Sequence, residues 1–176
     1  MSSRFERIDA TTRYEGKVFD VREETFRHED DGETTREIVR HQGAVGIVCH
    51  DGERIWLVRQ PREAVGEPDL LELPAGKLDV DGEAPLETAK RELAEEIGKA
   101  AEHWEHLHSF YTSPGFTDEE VHVYLATGLS DAAAETEENE RIDVETRPLA
   151  QLDALIDEVR DSKTLVGLLE LRRRTA

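Results

Sequence analysis

The chain has 176 residues with 41 acidic and 22 basic side chains, a net of −19. That length suits one ordinary domain with a small appendage and a full core of its own. The charge repels nucleic acid and anionic membrane surfaces, which excludes both as expected partners. Cys49 is the only cysteine, so no internal disulfide can form and a reducing interior is the natural home. The first residues lack the apolar run of a signal peptide, and no stretch approaches the roughly 18 apolar residues of a membrane span. A soluble, cytoplasmic protein is expected. Only five basic residues are lysine (17, 77, 90, 99 and 163). An acid-rich, lysine-poor surface resembles that of proteins from salt-loving organisms, where screening makes self-repulsion tolerable.

Residues 14–42 read as extended, with Val18, Val21 and Phe26 suiting a half-buried strand and Asp30-Asp31-Gly32 suiting a hairpin turn. A second hairpin runs through "GAVGIVCH", Asp51-Gly52 and "ERIWLVRQ". "LLELPAGKL" predicts a short strand that breaks at Pro74 and Gly76. Between Pro85 and Ile97 the period changes: Leu86, Ala89, Leu93 and Ile97 form one helical stripe, and Gly98 is a stop. Two strands, "WEHLHSFYT" and "EEVHVYLATGL", flank "SPGFTDE"; residues 130–141 form a polar acidic loop. The tail predicts a last strand in "IDVETRPL", a helix around "AQLDALIDEV", and a final helix that Ser162 would cap. Mixed strands, one central helix and closing helices argue an α+β fold. The expected division is an N-terminal β-hairpin extension over 1–42 and a main domain over 43–176.

On a helical wheel Glu92, Glu95 and Glu96 share one arc beside the apolar stripe. Like charges three and four apart destabilise a helix by roughly 0.2–0.5 kcal/mol per pair. With 41 acids in the chain, the bland explanation is one more solvated face. The sharper one is a hard divalent cation: three carboxylates with no histidine or thiol among them suit Mg²⁺ and do not suit zinc. His103, His106 and His108 read as structural or exposed strand residues, Trp56 and Trp104 as core, and Cys49 as packing.

The surrounding residues favour the cation. Gly76, Glu83, Arg91, Glu92, Leu93, Glu95, Glu96, Ile97 and Gly98 resemble the signature of the Nudix hydrolases. The chain departs from that signature in holding six residues between Gly76 and Glu83, where five are usual, and in carrying Lys99 at an apolar position. "LVRQPR", "LLELPAGKLD", Pro114 sixteen residues after Gly98, and the N-terminal hairpin resemble the ADP-ribose pyrophosphatase branch. Pro61 departs from the aromatic residue often found there.

The resemblance implies a Nudix fold, with a mixed β-sheet between helices. It also implies Mg²⁺-dependent hydrolysis of ADP-ribose to AMP and ribose 5-phosphate, with Mn²⁺ as a possible substitute. Glu92, Glu95, Glu96 and the Ala75 carbonyl would hold metal. Gly76, Glu83 and Gly98 would shape the box, and Arg91, counted with the catalytic set, would pair with Glu83 to fix loop against helix. Arg59, Arg62, Glu72 and Pro114 would contact substrate. Glu138 would be the catalytic base and Glu140 an auxiliary ligand, and the hairpin would build a two-fold homodimer. The alternatives are hydrolysis of another nucleoside diphosphate sugar, or a Nudix-fold domain that binds a nucleotide without cleaving it. An acidic structural or calcium-buffering domain is disfavoured, because no D-x-D-x-D-G pattern occurs.

Overall fold

The computed structural model describes residues 4–133 and 141–175. They form two compact units, one of residues 4–43 with 111–120 and one of the described residues in 44–110 and 121–175.

In the first unit β1 (Phe5–Glu15), β2 (Phe19–His28) and β3 (Glu33–His41) make an antiparallel sheet in the order β1-β2-β3. The β2–β3 hairpin turns at Asp30-Asp31-Gly32, where Asp31 adopts φ 61° and Asp30 Oδ1 accepts the Gly32 N–H at 3.0 Å. A third strand, β1, joins the expected hairpin. Its "FERIDATTRYE" is exposed almost throughout, so no apolar periodicity marks it, and main-chain pairing with β2 defines it instead.

Glu24 is fully buried beneath this sheet. Arg40 donates to its two oxygens at 3.1 and 2.6 Å, and Arg7 stands at 3.4 Å. Arg40 also reaches Asp118 at 2.9 Å, and the His41 N–H donates to the same carboxylate at 2.9 Å. The 111–120 segment is thereby tied to β3.

The second unit holds seven strands: β4 (Ala44–His50), β5 (Arg54–Arg62), β6 (Glu67–Glu72), β7 (Ala75–Lys77), β8 (Lys99–Tyr111), β9 (Glu120–Asp131) and β10 (Asp143–Pro148). Their order is β10-β5-β4-β9-β8, with β6 on β5 and β7 on β4. The sheet is mixed, since β4 runs parallel to β9 and antiparallel to β5 and β7. Helices α1 (Pro85–Ile97), α2 (Leu152–Glu158) and α3 (Ser162–Thr175) cover it.

Alternation along β4 explains why helices lie on both faces. Val45, Ile47 and Cys49 pack with Ala89, Leu93 and Ile97 of α1. Val48 packs in a second cluster with Leu152 and Leu155 of α2 and Leu168 and Leu171 of α3. The α+β class and the sheet between helices are as the sequence predicts. Trp56 and Trp104 flank the α1 cluster, and Cys49 is wholly buried in it.

Three local expectations are corrected. The β4–β5 hairpin pairs only at Cys49↔Trp56 and His50↔Ile55, because β7 takes Ala44–Gly46 on the edge that β5 would otherwise share, while β9 runs along the other edge. Gly76 does not break a strand; it lies inside β7, opposite Val45. The α3 cap is Asp161 rather than Ser162: Asp161 Oδ2 accepts the Thr164 N–H at 2.9 Å and its hydroxyl at 2.6 Å. Among the described residues, no helix is long and apolar enough to cross a membrane.

Candidate functional site

Helix α1 starts at Pro85 in its first turn and ends at Gly98, whose φ of 65° is a left-handed cap that glycine adopts without a Cβ penalty. Thr88, Ala89, Leu93 and Ile97 are its buried face together with Glu96. The helix is therefore pinned by its apolar side, and its carboxylates meet the Ala75–Gly76 segment.

Each box glutamate is held differently. Glu96 is only 8% exposed, and its Oε2 accepts the Ala75 N–H at 2.9 Å. The Glu92 carboxylate fills the space a Cβ on Gly76 would occupy, so any larger residue at 76 would overlap it. Glu92 and Glu95 each accept from the same nitrogen, Arg91 Nη1, at 2.9 Å. Arg91 Nη2 reaches Glu83 at 3.3 Å, and Glu83 also accepts from the Thr88 hydroxyl at 2.8 Å. The pairing of Glu83 with Arg91 is thus present, and Arg91 does more: it brings Glu92 and Glu95 to one point. Burial acts to lower the Arg91 pKa, but the neighbouring Glu92 charge and the Glu83 and Glu95 hydrogen bonds outweigh it and raise the value. Thr88, and then Arg91, hold the Glu83 carboxyl below the usual range.

Among the described residues, no three His, Cys, Asp or Glu side chains already stand around a common cation position. Arg91 Nη1 takes one oxygen each of Glu92 and Glu95. The donor set itself, carboxylate oxygens beside the backbone of β7, fits a hard cation.

Arg59 and Arg62, expected side by side on substrate, enter separate networks. Arg59 is bound to Glu145 at 2.5 Å, Glu158 at 3.4 Å and Asp69 at 3.5 Å. Arg62 grips buried Glu72 with two bonds of 2.6 and 2.8 Å. Lys163 donates to the same Glu72 carboxylate and stands 3.0 Å from Asp161. Glu72, predicted as a ribose contact or an ion pair, is the centre of an ion-pair cluster.

That cluster was not legible in the sequence, because Lys163 and Asp161 lie about ninety positions from Glu72. Burial raises the Glu72 pKa, but the Arg62 hydrogen bond and the Lys163 charge overcome it and leave the carboxyl below its ordinary 4.5. Glu24 behaves the same way, with Arg40 prevailing over burial. An acid whose folded pKa is depressed stabilises the fold above its unfolded pKa, and that contribution is lost as pH falls through the folded value. The melting temperature should therefore hold from pH 7 to about 4.5 and fall below it. Glu72→Gln should flatten that fall in a thermal scan series; an unchanged slope would refute the assignment.

Pro114 belongs to the first unit, where it lines a recess of about 380 Å³ with Phe5, Phe26, Arg36, Arg40 and Phe116. Glu138 and Glu140 lie outside the described residues. His103 and His108 are exposed strand residues that gather no ligand set with His106.

A family model described as NUDIX domain matches residues 40–167. The chain is 41% identical to an ADP-ribose pyrophosphatase of Mycobacterium tuberculosis, over 97% of this chain and 84% of that protein. It is 39% identical to an ADP-ribose pyrophosphatase of Bacillus subtilis, over 93% of this chain and 90% of that one. A solved structure described as an ADP compounds hydrolase superposes with a TM-score of 0.84 at 21% identity, covering 97% of this chain and 94% of the other, and agrees in fold.

Proposed function

The chain belongs to the NUDIX domain family, and from that premise we propose that it hydrolyses the diphosphate bond of ADP-ribose to AMP and ribose 5-phosphate. The observation that carries the proposal is that Arg91 joins Glu92 to Glu95 while Glu92 and Glu96 meet the Ala75–Gly76 backbone of β7. Glu92, Glu95, Glu96 and the Ala75 carbonyl would hold divalent cation, Mg²⁺ with Mn²⁺ as substitute. Bound there, it supplies positive charge to neutralise the diphosphate and admit a water nucleophile.

Arg91 is a positioning residue: it aligns two carboxylates and joins them to Glu83. Arg59 and Arg62 are the proposed phosphate contacts, since a guanidinium suits bidentate recognition of phosphate oxygens. Pro114 is a further proposed substrate contact. Glu138 takes the proton of the attacking water as the diphosphate bridge breaks, and Glu140 assists with metal. Glu138→Gln should depress kcat with little change in KM; wild-type turnover in it and in Glu140→Gln would remove the loop from the mechanism.

The deciding experiment is a panel of nucleoside diphosphate derivatives with Mg²⁺, read by phosphate release after phosphatase. ADP-ribose should be turned over fastest. A faster nucleoside diphosphate sugar would move the reading to that substrate, and binding without turnover would make this a recognition domain.

The cytoplasm is the proposed compartment, and a homodimer the proposed assembly. Phe5 and Tyr14 on the first unit's sheet are 63% and 56% exposed, apolar surface that a partner copy would cover. A monomer by light scattering at micromolar concentration, fully active, would rule that out. Adaptation to brine is proposed, supported by the net charge of −19. The melting temperature should rise with KCl across the molar range as the acids are screened. A flat or falling series would overturn the habitat reading.

A further inference from the structure

Outside the box, β8 and β9 bring two histidines to one hydroxyl. His106 Nε2 lies 2.8 Å from Ser109 Oγ, and His122 Nδ1 lies 2.7 Å from the same oxygen. The two ring centroids are 6.4 Å apart, and the Tyr124 ring meets His106 edge-on at 5.4 Å, which fixes its orientation. Among the described residues neither imidazole pairs with a carboxylate, although acids are nearly a quarter of the chain.

A serine hydroxyl has one proton to give and two lone pairs. Bridging two rings, it donates to one nitrogen and can accept from the other. The two convergent nitrogens are thus held toward a common point that a cation can also occupy.

We propose that His106 and His122 form a binding site for a divalent transition-metal ion of the imidazole-preferring class, separate from the carboxylate box. Imidazole nitrogens bind zinc at roughly 2.0–2.1 Å, so each ring needs to close by less than about 1 Å once Ser109 turns aside. Both rings then present a lone pair, with their protons on His106 Nδ1 and His122 Nε2, and water completes the shell. A two-imidazole set suits Zn²⁺, Ni²⁺ or Cu²⁺ and does not suit Mg²⁺.

The sheet register separates this site from the box. Val45 of β4 pairs with Gly76 on one side and with His122 on the other. Strands are spaced about 4.8 Å apart, which puts Gly76 and His122 about 10 Å from each other. Val45 itself packs against α1 residues Ala89 and Leu93. The Glu92 carboxylate lies over Gly76, so the helix's apolar contact with Val45 stands between carboxylates and imidazoles. Hard and soft ions thereby have different addresses on one sheet.

The test is calorimetric titration of the full chain with Zn²⁺ in saturating Mg²⁺, repeated on His106→Gln and His122→Gln. Wild type should bind one Zn²⁺ per chain at this site, each variant should weaken it at least tenfold, and hydrolysis in Mg²⁺ alone should stay unchanged. An isotherm identical in both variants, or one abolished only by Glu96→Gln, would overturn the site. If His122→Gln melts early, the exposed His106 variant decides the question alone.

Discussion

Glu96→Gln is expected to lower turnover by about 10³-fold while leaving the melting temperature close to wild type. Losing one anionic ligand removes several kcal/mol of charge stabilisation in the transition state, and each 1.36 kcal/mol is tenfold in rate. The fold should survive because the amide oxygen of glutamine can still accept the Ala75 N–H that Glu96 Oε2 accepts at 2.9 Å. Glu96 was expected as an exposed acid; at 8% exposure it is a buried one, so the isosteric change matters and an alanine would confound the result.

Glu92→Gln should behave alike, because its carboxylate sits in the space left by Gly76 and an amide of the same size fits there. Initial rates at saturating Mg²⁺ and thermal melts of both variants check this. Near-normal rates in both would detach the box from catalysis.

Glu72→Ala is expected to destabilise the protein by about 2–3 kcal/mol and to release the Arg62 guanidinium it holds. Removing one partner of a fully buried ion pair costs about 3–5 kcal/mol, since the other charge is left without compensation. Two features reduce the figure here. Arg62 is 41% exposed and can turn to water, and Lys163 keeps Asp161 at 3.0 Å. For a chain of this length the loss corresponds to roughly 5–10 °C in Tm. Glu72→Gln should recover part of it, because an amide oxygen can still accept one hydrogen bond. A Tm within about 1 °C of wild type for the alanine variant would show the cluster to be energetically idle.

The sequence by itself determined what depends on neighbours along the chain. Helix α1 follows from an apolar stripe at helical spacing, with Pro85 at one end and Gly98 at the other, and its bounds are Pro85–Ile97. Glu92, Glu95 and Glu96 on one flank follow from the same period, whereas the pairing of Arg91 with Glu83, which lies ahead of the helix, comes from the resemblance. The apolar run in "GAVGIVCH" and the turn at Asp51-Gly52 place β4 and the start of β5 by purely local chemistry.

Tertiary structure alone decided what depends on residues distant in the chain. The strand β1 carries too little apolar content to announce itself and exists through pairing with β2. On the edge of β4 that faces its hairpin partner, β7 takes Ala44–Gly46, and β9, distant in the chain, fills the other edge. Arg59 is joined to Glu145 and Glu158 from the far end of the chain, a network its own strand does not announce. Glu72 becomes a buried ion-pair centre only when α3 carries Lys163 to it. His106 meets Ser109 three residues along β8, and only the pairing of β8 with β9 brings His122 to the same hydroxyl. The physical reason is common to all of these: charge pairing and strand pairing act through space at a few ångströms, and a single sequence records only the spacing along the backbone.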